Sequence, residues 1–121
     1  MGIQVESIQA GDGKHYPMKR QTVTLHYVGY LDRQGEKKFD STFERGPIDP
    51  KTKKPTGRPF KFRVHSGQVV KGWDEGISQL SLGEKARITM SSDYAYGDHG
   101  IPGLIPPNAT LYLEVTLIAI H

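Results

Sequence analysis

The 121-residue sequence contains no cysteine. Disulfide scaffolds, thiol catalysis, zinc fingers and iron–sulfur clusters are thereby excluded. No apolar run approaches the length needed to span a bilayer, so no membrane role is expected. The start, Met1-Gly2-Ile3-Gln4-Val5-Glu6, has no basic segment followed by an apolar one, so no secretory leader is expected. Glu6 stands where a myristoylation signal wants Ser or Thr, which argues against a lipid anchor. The histidines, His15, His26, His65, His99 and His121, lack paired metal-ligand spacing, and neither a metal nor a cofactor is expected. There is no nucleophile elbow, no phosphate-binding Gly-Lys-Ser/Thr loop and no dinucleotide fingerprint. The carboxylates are scattered, and Gly97-Asp98-His99-Gly100 reads as a tight loop.

What is present suits one folded domain over residues 1–121. Hydrophobic residues make up 36% and charged residues 24%, within the soluble globular range, and the length is too short for two good cores. With 14 glycines and 8 prolines the chain should turn often, which favours short strands over long helices. The net charge is +3, and much of the excess falls on Lys51, Lys53, Lys54 and Arg58. One basic segment is not a continuous basic face, so no nucleic-acid partner is expected. A cytoplasmic location with nuclear access is the expectation at this size.

Period-two alternation of β-formers marks Thr22 to Tyr27, Phe60 to Val64 and Ala86 to Met90 as strands. The longest run, Thr110 to Ile120, puts Leu111, Leu113, Val115 and Leu117 on one face. Ile3 to Ile8 is a weaker strand candidate. Val70, Trp73, Ile77 and Leu80 break the period and form the apolar stripe of a short helix, with Lys71, Asp74, Glu75 and Ser78 facing away and Gly83 as its stop. Gly76 inside that helix costs about 1 kcal/mol relative to Ala, so packing must hold the helix together. The inventory predicts an α+β fold: five or six antiparallel strands in a twisted sheet wrapped around one short amphipathic helix.

Two stretches read as long loops. Residues 46–58 carry three prolines and four basic residues, with Ile48 as the one candidate anchor; a solvated insert between two strands is expected, near the pocket rim but outside it. Ser91 to Asn108 mixes turn formers with Tyr94, Tyr96, Ile101, Leu104 and Ile105, a composition more typical of functional loops. The remaining chemistry is apolar and aromatic, and on residues alone the reading stops at a binding domain with a hydrophobic pocket.

Five local motifs extend it. Val70-Lys71-Gly72-Trp73-Asp74-Glu75-Gly76 resembles the helix start of the FKBP family of peptidyl-prolyl cis-trans isomerases, in its small single-domain form. Tyr94-Ala95-Tyr96-Gly97 and Gly100 to Leu111 resemble that family's long loop and last strand. His26-Tyr27-Val28-Gly29, Lys38-Phe39-Asp40-Ser41 and Pro59-Phe60-Lys61-Phe62 match in order as well. The resemblance spans nearly the whole chain apart from about 46–58.

The resemblance implies an enzyme that eases rotation about X-Pro bonds, without a cofactor. It implies a pocket with Trp73 as floor and with Tyr27, Phe39, Phe60, Val69, Val70, Tyr96, Ile105 and Leu113 as walls. Asp40 and Tyr96 would be polar handles that orient the twisting amide, and the Val70 N–H would hold a flanking carbonyl; with Trp73 these are the implied catalytic set. An alternative for Asp40 is a structural ion pair with Arg45. Two positions depart from the family: Leu113, often aromatic there, and Ile101, often histidine. The implied partners are proline-containing peptides and proteins, rapamycin and tacrolimus, with calcineurin or the TOR kinase bridged by the drug, and a monomeric state. A binding module using the same pocket without turnover is the rival reading.

Overall fold

Alternating apolar residues become strands wherever one face can be buried. The computed structural model, which describes residues 2–121, contains six: β1 (Ile3–Gln9), β2 (Thr22–Tyr30), β3 (Lys38–Ser41), β4 (Phe60–Arg63), β5 (Lys85–Met90) and β6 (Leu111–Ile120). One helix, α1 (Lys71–Ile77), lies between β4 and β5. All strand pairs are antiparallel, in the order β1-β5-β6-β2-β3. β2 serves two partners on one side: its first half, Thr22–Leu25, pairs with β4 and its second half with β3. The expected α+β architecture with a short helix is the one the chain adopts.

The long apolar face of β6 is the centre of the core. Leu111, Leu113, Val115 and Leu117 are buried together with Ala86, Ile88 and Met90 of β5 and Val23, Leu25 and Tyr27 of β2. Trp73, Ile77 and Leu80 bring the helix stripe into the same cluster. Gly76 is the point of closest approach: a Cβ there would lie 2.9 Å from two side-chain carbons of Ile88. The glycine that weakens the helix in isolation lets it sit down on β5.

Two details of the helix depart from the sequence reading, and residues 46–58 show how an insert of this kind is held. The helix ends at Ile77 rather than near Gly83, because Gln79 and Leu80 donate to carbonyls three residues back, at 3.2 and 3.1 Å, and tighten the chain into a turn. Asp74 does not face solvent; it is buried, and its carboxylate accepts the His65 N–H at 2.8 Å. Ile48 does not anchor residues 46–58, since it is 60% exposed. A ladder of backbone hydrogen bonds holds that segment instead: Gly57 N–H to Arg45 at 2.8 Å, Thr56 N–H to Pro47 at 2.9 Å and Asp49 N–H to Lys54 at 2.9 Å. The segment is a hairpin between β3 and β4.

Candidate active site

A cleft of about 520 Å³ opens where the turn before α1 meets the β2–β4 pair. It is lined by Tyr27, Arg45, Phe60, Gln68, Val69, Val70, Trp73 and Tyr96. Each element supplies its side chain for a local reason. Tyr27 takes an inward position in the alternation of β2, and Phe60 opens β4 directly beside it. Val70 caps α1 with extended backbone, φ −61° and ψ 153°, so the chain turns sharply and Trp73 enters from the first turn of the helix. Tyr96 reaches over from the loop that follows β5.

The three innermost rings pack edge to face or tilted. Trp73 lies 4.9 Å from Tyr27 at 65° and 5.9 Å from Phe60 at 56°. Offsets of this kind suit the quadrupoles of aromatic rings and hold them rigid. Trp73 is the most deeply buried ring of the cleft, and Tyr96, 36% exposed, stands at its rim.

One wall is polar and internally satisfied. The Tyr27 hydroxyl donates to Asp40 Oδ2 at 2.5 Å, and Arg45 Nη2 donates to both Asp40 oxygens at 2.6 Å. The Ser41 N–H adds a fourth bond to Asp40 at 2.9 Å. Burial first, and then the hydrogen bond to Asp40, push the Tyr27 phenol up to about 12. Burial, and then the negative charge of Asp40, also raise the Tyr96 phenol. For Arg45, partial burial works against the charge, but the bonds to Asp40 and Tyr27 outweigh it and the guanidinium is held still more firmly protonated. At neutral pH the cleft therefore carries two neutral phenols and a compensated ion pair.

Donors on the lining residues remain unspent. The Tyr96 hydroxyl and the Val70 N–H make no hydrogen bond among the described residues. No group of His, Asp and Glu among the described residues is arranged to hold a metal. Such a site can bind an apolar ring and a carbonyl or two; it offers no nucleophile.

Of the residues singled out from sequence, Tyr27, Phe60, Val69, Val70, Trp73 and Tyr96 come together here. Asp40 stands behind Tyr27, tied to Arg45 as the ion-pair alternative anticipates. Phe39, Ile105 and Leu113 do not line the cleft. Leu113 pairs with Gly29 and is wholly buried, and the Phe39 ring crosses the same glycine so closely that a Cβ would lie 2.7 Å from it. Ile105 is buried under the loop, where Ile101 and Ile105 exchange N–H to carbonyl bonds of 2.8 Å in both directions, and it helps line a second cleft with His99, Pro102 and Leu104. Arg45 and Gln68 were not anticipated as lining residues. Arg45 was reachable, because any partner of Asp40 must sit near Tyr27; nothing in the sequence marks Gln68.

Comparison with known proteins bears on this geometry. Residues 13–118 match the sequence profile of the family described as FKBP-type peptidyl-prolyl cis-trans isomerase. The chain is 49% identical to FK506-binding protein 1 of Yarrowia lipolytica over 121 residues, covering all of both chains. It is similarly 48% identical to peptidyl-prolyl cis-trans isomerase FKBP1A of Xenopus laevis and 47% identical to peptidyl-prolyl cis-trans isomerase Fkbp12 of Drosophila melanogaster, each over 121 residues and the full length of both chains.

Proposed function

Because the chain belongs to the family of FKBP-type peptidyl-prolyl cis-trans isomerases, we propose that its aromatic cleft is where the X-Pro bond turns. The observation that carries this reading is the enclosure of one apolar opening by Tyr27, Phe60 and Trp73, with the unspent Tyr96 hydroxyl and Val70 N–H on residues that line it.

The barrier to amide rotation is about 18–20 kcal/mol, because rotation breaks resonance. No bond need form or break to lower it. The twisted transition state has a less polarised carbonyl than the planar ground state. An apolar wall disfavours the more dipolar species, and only such differential binding accelerates the step. A ten-thousandfold acceleration requires about 5–6 kcal/mol. In this mechanism Trp73, Tyr27 and Phe60 hold the pyrrolidine ring, and Val69 and Val70 close the side of the cleft. The Val70 N–H donates to a flanking carbonyl, and the Tyr96 hydroxyl donates to the turning amide. Asp40 is a positioning residue, since its oxygens are already occupied by Tyr27, Arg45 and Ser41. Phe39, Ile105 and Leu113 back the site from the core rather than touching the proline.

The name FK506-binding protein 1, carried by a full-length relative, supports tacrolimus (FK506) as a ligand of the same cleft, and rapamycin binding is part of the same proposal. Drug-bridged capture of calcineurin or the TOR kinase, a monomeric state and a cytoplasmic location belong to the same proposal. A protease-coupled isomerisation assay on a Leu-Pro peptide tests it. The expected result is a cis-to-trans rate that rises in proportion to enzyme. Equal rates with and without micromolar protein would leave a binding module in place of an isomerase.

A further inference from the structure

The hairpin at 46–58 carries a charge pattern that catalysis does not use. Lys51, Lys53, Lys54 and Arg58 are all exposed, and none of them forms an ion pair among the described residues. The only acidic side chain of the segment, Asp49, is engaged locally at the hairpin tip, accepting the Lys51 N–H at 2.8 Å. Beyond the hairpin, Lys61 and Arg63 on β4 are exposed and free of ion pairs as well. Nearby carboxylates are spent: Asp40 is held by Arg45, and Glu44 is paired with Lys38.

These cations are not on a loose tail. The ladder described above runs from Arg45, which lines the cleft, out to the turn at Asp49–Lys54. At the tip Lys53 takes a left-handed backbone, φ 61°, where glycine would sit without strain. At the root, Phe43 is 54% exposed, with its ring stacked on His26 at 4.5 Å. The surface thus runs from the aromatic cleft, past an open aromatic pair, to an uncompensated basic tip.

The geometry points to this hairpin as a specificity element that selects client polypeptides with an acidic segment flanking the proline. The inference rests on the isomerase reading of the cleft. A polypeptide fits better than a nucleic acid, because the cations continue directly from the proline-binding cleft and carry apolar Phe43 and Ile48 among them. A strand rises about 3.3 Å per residue, so a hairpin arm of about five residues reaches about 17 Å. The acidic side chains would lie about three to six residues from the proline. The attraction is between exposed charges, so it acts mainly on encounter and is screened by salt.

The test compares two peptides with one Leu-Pro core, flanked by three glutamates or three glutamines, on the intact protein and on a K51Q/K53Q/K54Q variant. The expected result at low salt is a five- to twentyfold higher kcat/KM for the glutamate peptide, shrinking to less than twofold above 0.3 M salt. The variant should treat both peptides alike while turning over the glutamine peptide at the original rate. Equal kcat/KM for the two peptides on the original protein, or a preference that survives in the variant, overturns the inference. So does an oligonucleotide of matched charge that competes at lower concentration than the glutamate peptide. If neither peptide is turned over, the isomerase reading fails; calorimetric affinities of the two peptides then decide the inference, with equal affinities overturning it.

Discussion

Tyr27 and Tyr96 face the same cleft with opposite obligations. The Tyr27 hydroxyl is committed to Asp40, whereas that of Tyr96 has no partner among the described residues. Tyr96→Phe should therefore leave the melting temperature unchanged and weaken ligand binding by about 0.5–1.5 kcal/mol, the net worth of one hydrogen bond. Calorimetric titration with tacrolimus measures it; an equally large loss of stability would make Tyr96 a core residue. Trp73→Ala removes a buried ring and should cost about 3–5 kcal/mol of stability, read from urea unfolding. Tyr27 also has a pH signature. Its folded-state value is raised from 10.0 to about 12, so the folded chain keeps a proton that the unfolded chain releases. The corresponding stability is fully present below pH 10 and is lost as pH rises from 10 towards 12. Unfolding curves of the original protein and of Tyr27→Phe across that window should converge as pH rises. A gap that stays constant would show that the phenol proton is not linked to folding.

Among the elements, α1 depends most on its neighbours. In an exposed helix, replacing a glycine by alanine gains about 1 kcal/mol. At Gly76 the new Cβ would press on Ile88 at 2.9 Å, and overpacking of that kind costs about 1–3 kcal/mol. Gly76→Ala should thus lower stability, by up to about 2 kcal/mol, and a rise in melting temperature would mean that the helix stands off the sheet. The clearest strands were legible because one face is buried: β5 alternates throughout and β6 does so from Leu111 to Leu117, whereas β1 buries no residue and its signal is weaker. β3 carries no strand signal of its own, being four residues long and held by pairing with β2 rather than by any alternation. The end of α1 was misjudged because Leu80 stays buried after the helix has tightened into a turn, so the apolar stripe outruns the helix. Asp74 was misplaced for a related reason: the His65 N–H approaches from outside the helix, and no local pattern reveals it.

At the scale of the whole molecule, the cleft draws on separated stretches, and that sets what the sequence could show. Rings such as Tyr27, Phe60 and Trp73 were legible as a set because apolar residues on different elements must meet somewhere. Which of them reach a cleft depends on packing above the sheet: Leu113, opposite Gly29, shares a face with Tyr27 but is buried, with the Phe39 ring close over the same glycine. The hairpin at 46–58 adds to this frame without entering its core. Lengthening a surface loop costs about 0.6 kcal/mol per doubling, so removal should leave the remaining structure intact. Replacing residues 46–57 by a short Gly-Ser turn should keep turnover of an uncharged Leu-Pro peptide and affinity for tacrolimus within about twofold. A tenfold loss of turnover at unchanged melting temperature would make the hairpin part of the catalytic cleft.

The place of β6 has a consequence for biosynthesis. This strand, Leu111–Ile120, is the last of the six in chain order, yet it lies in the interior of the sheet between β5 and β2. A chain leaving the ribosome in order, at about 5–20 residues per second, emerges with two halves of a sheet and nothing to join them. Until β6 is out, Tyr27 on β2 and the β5 face beneath α1 share no framework, and the cleft cannot close. A ribosome-held chain exposed only as far as Ala109 should be cut readily by protease, with resistance gained in one step once Ile120 is free. The ability to turn prolines in other proteins thus arrives all at once, with β6.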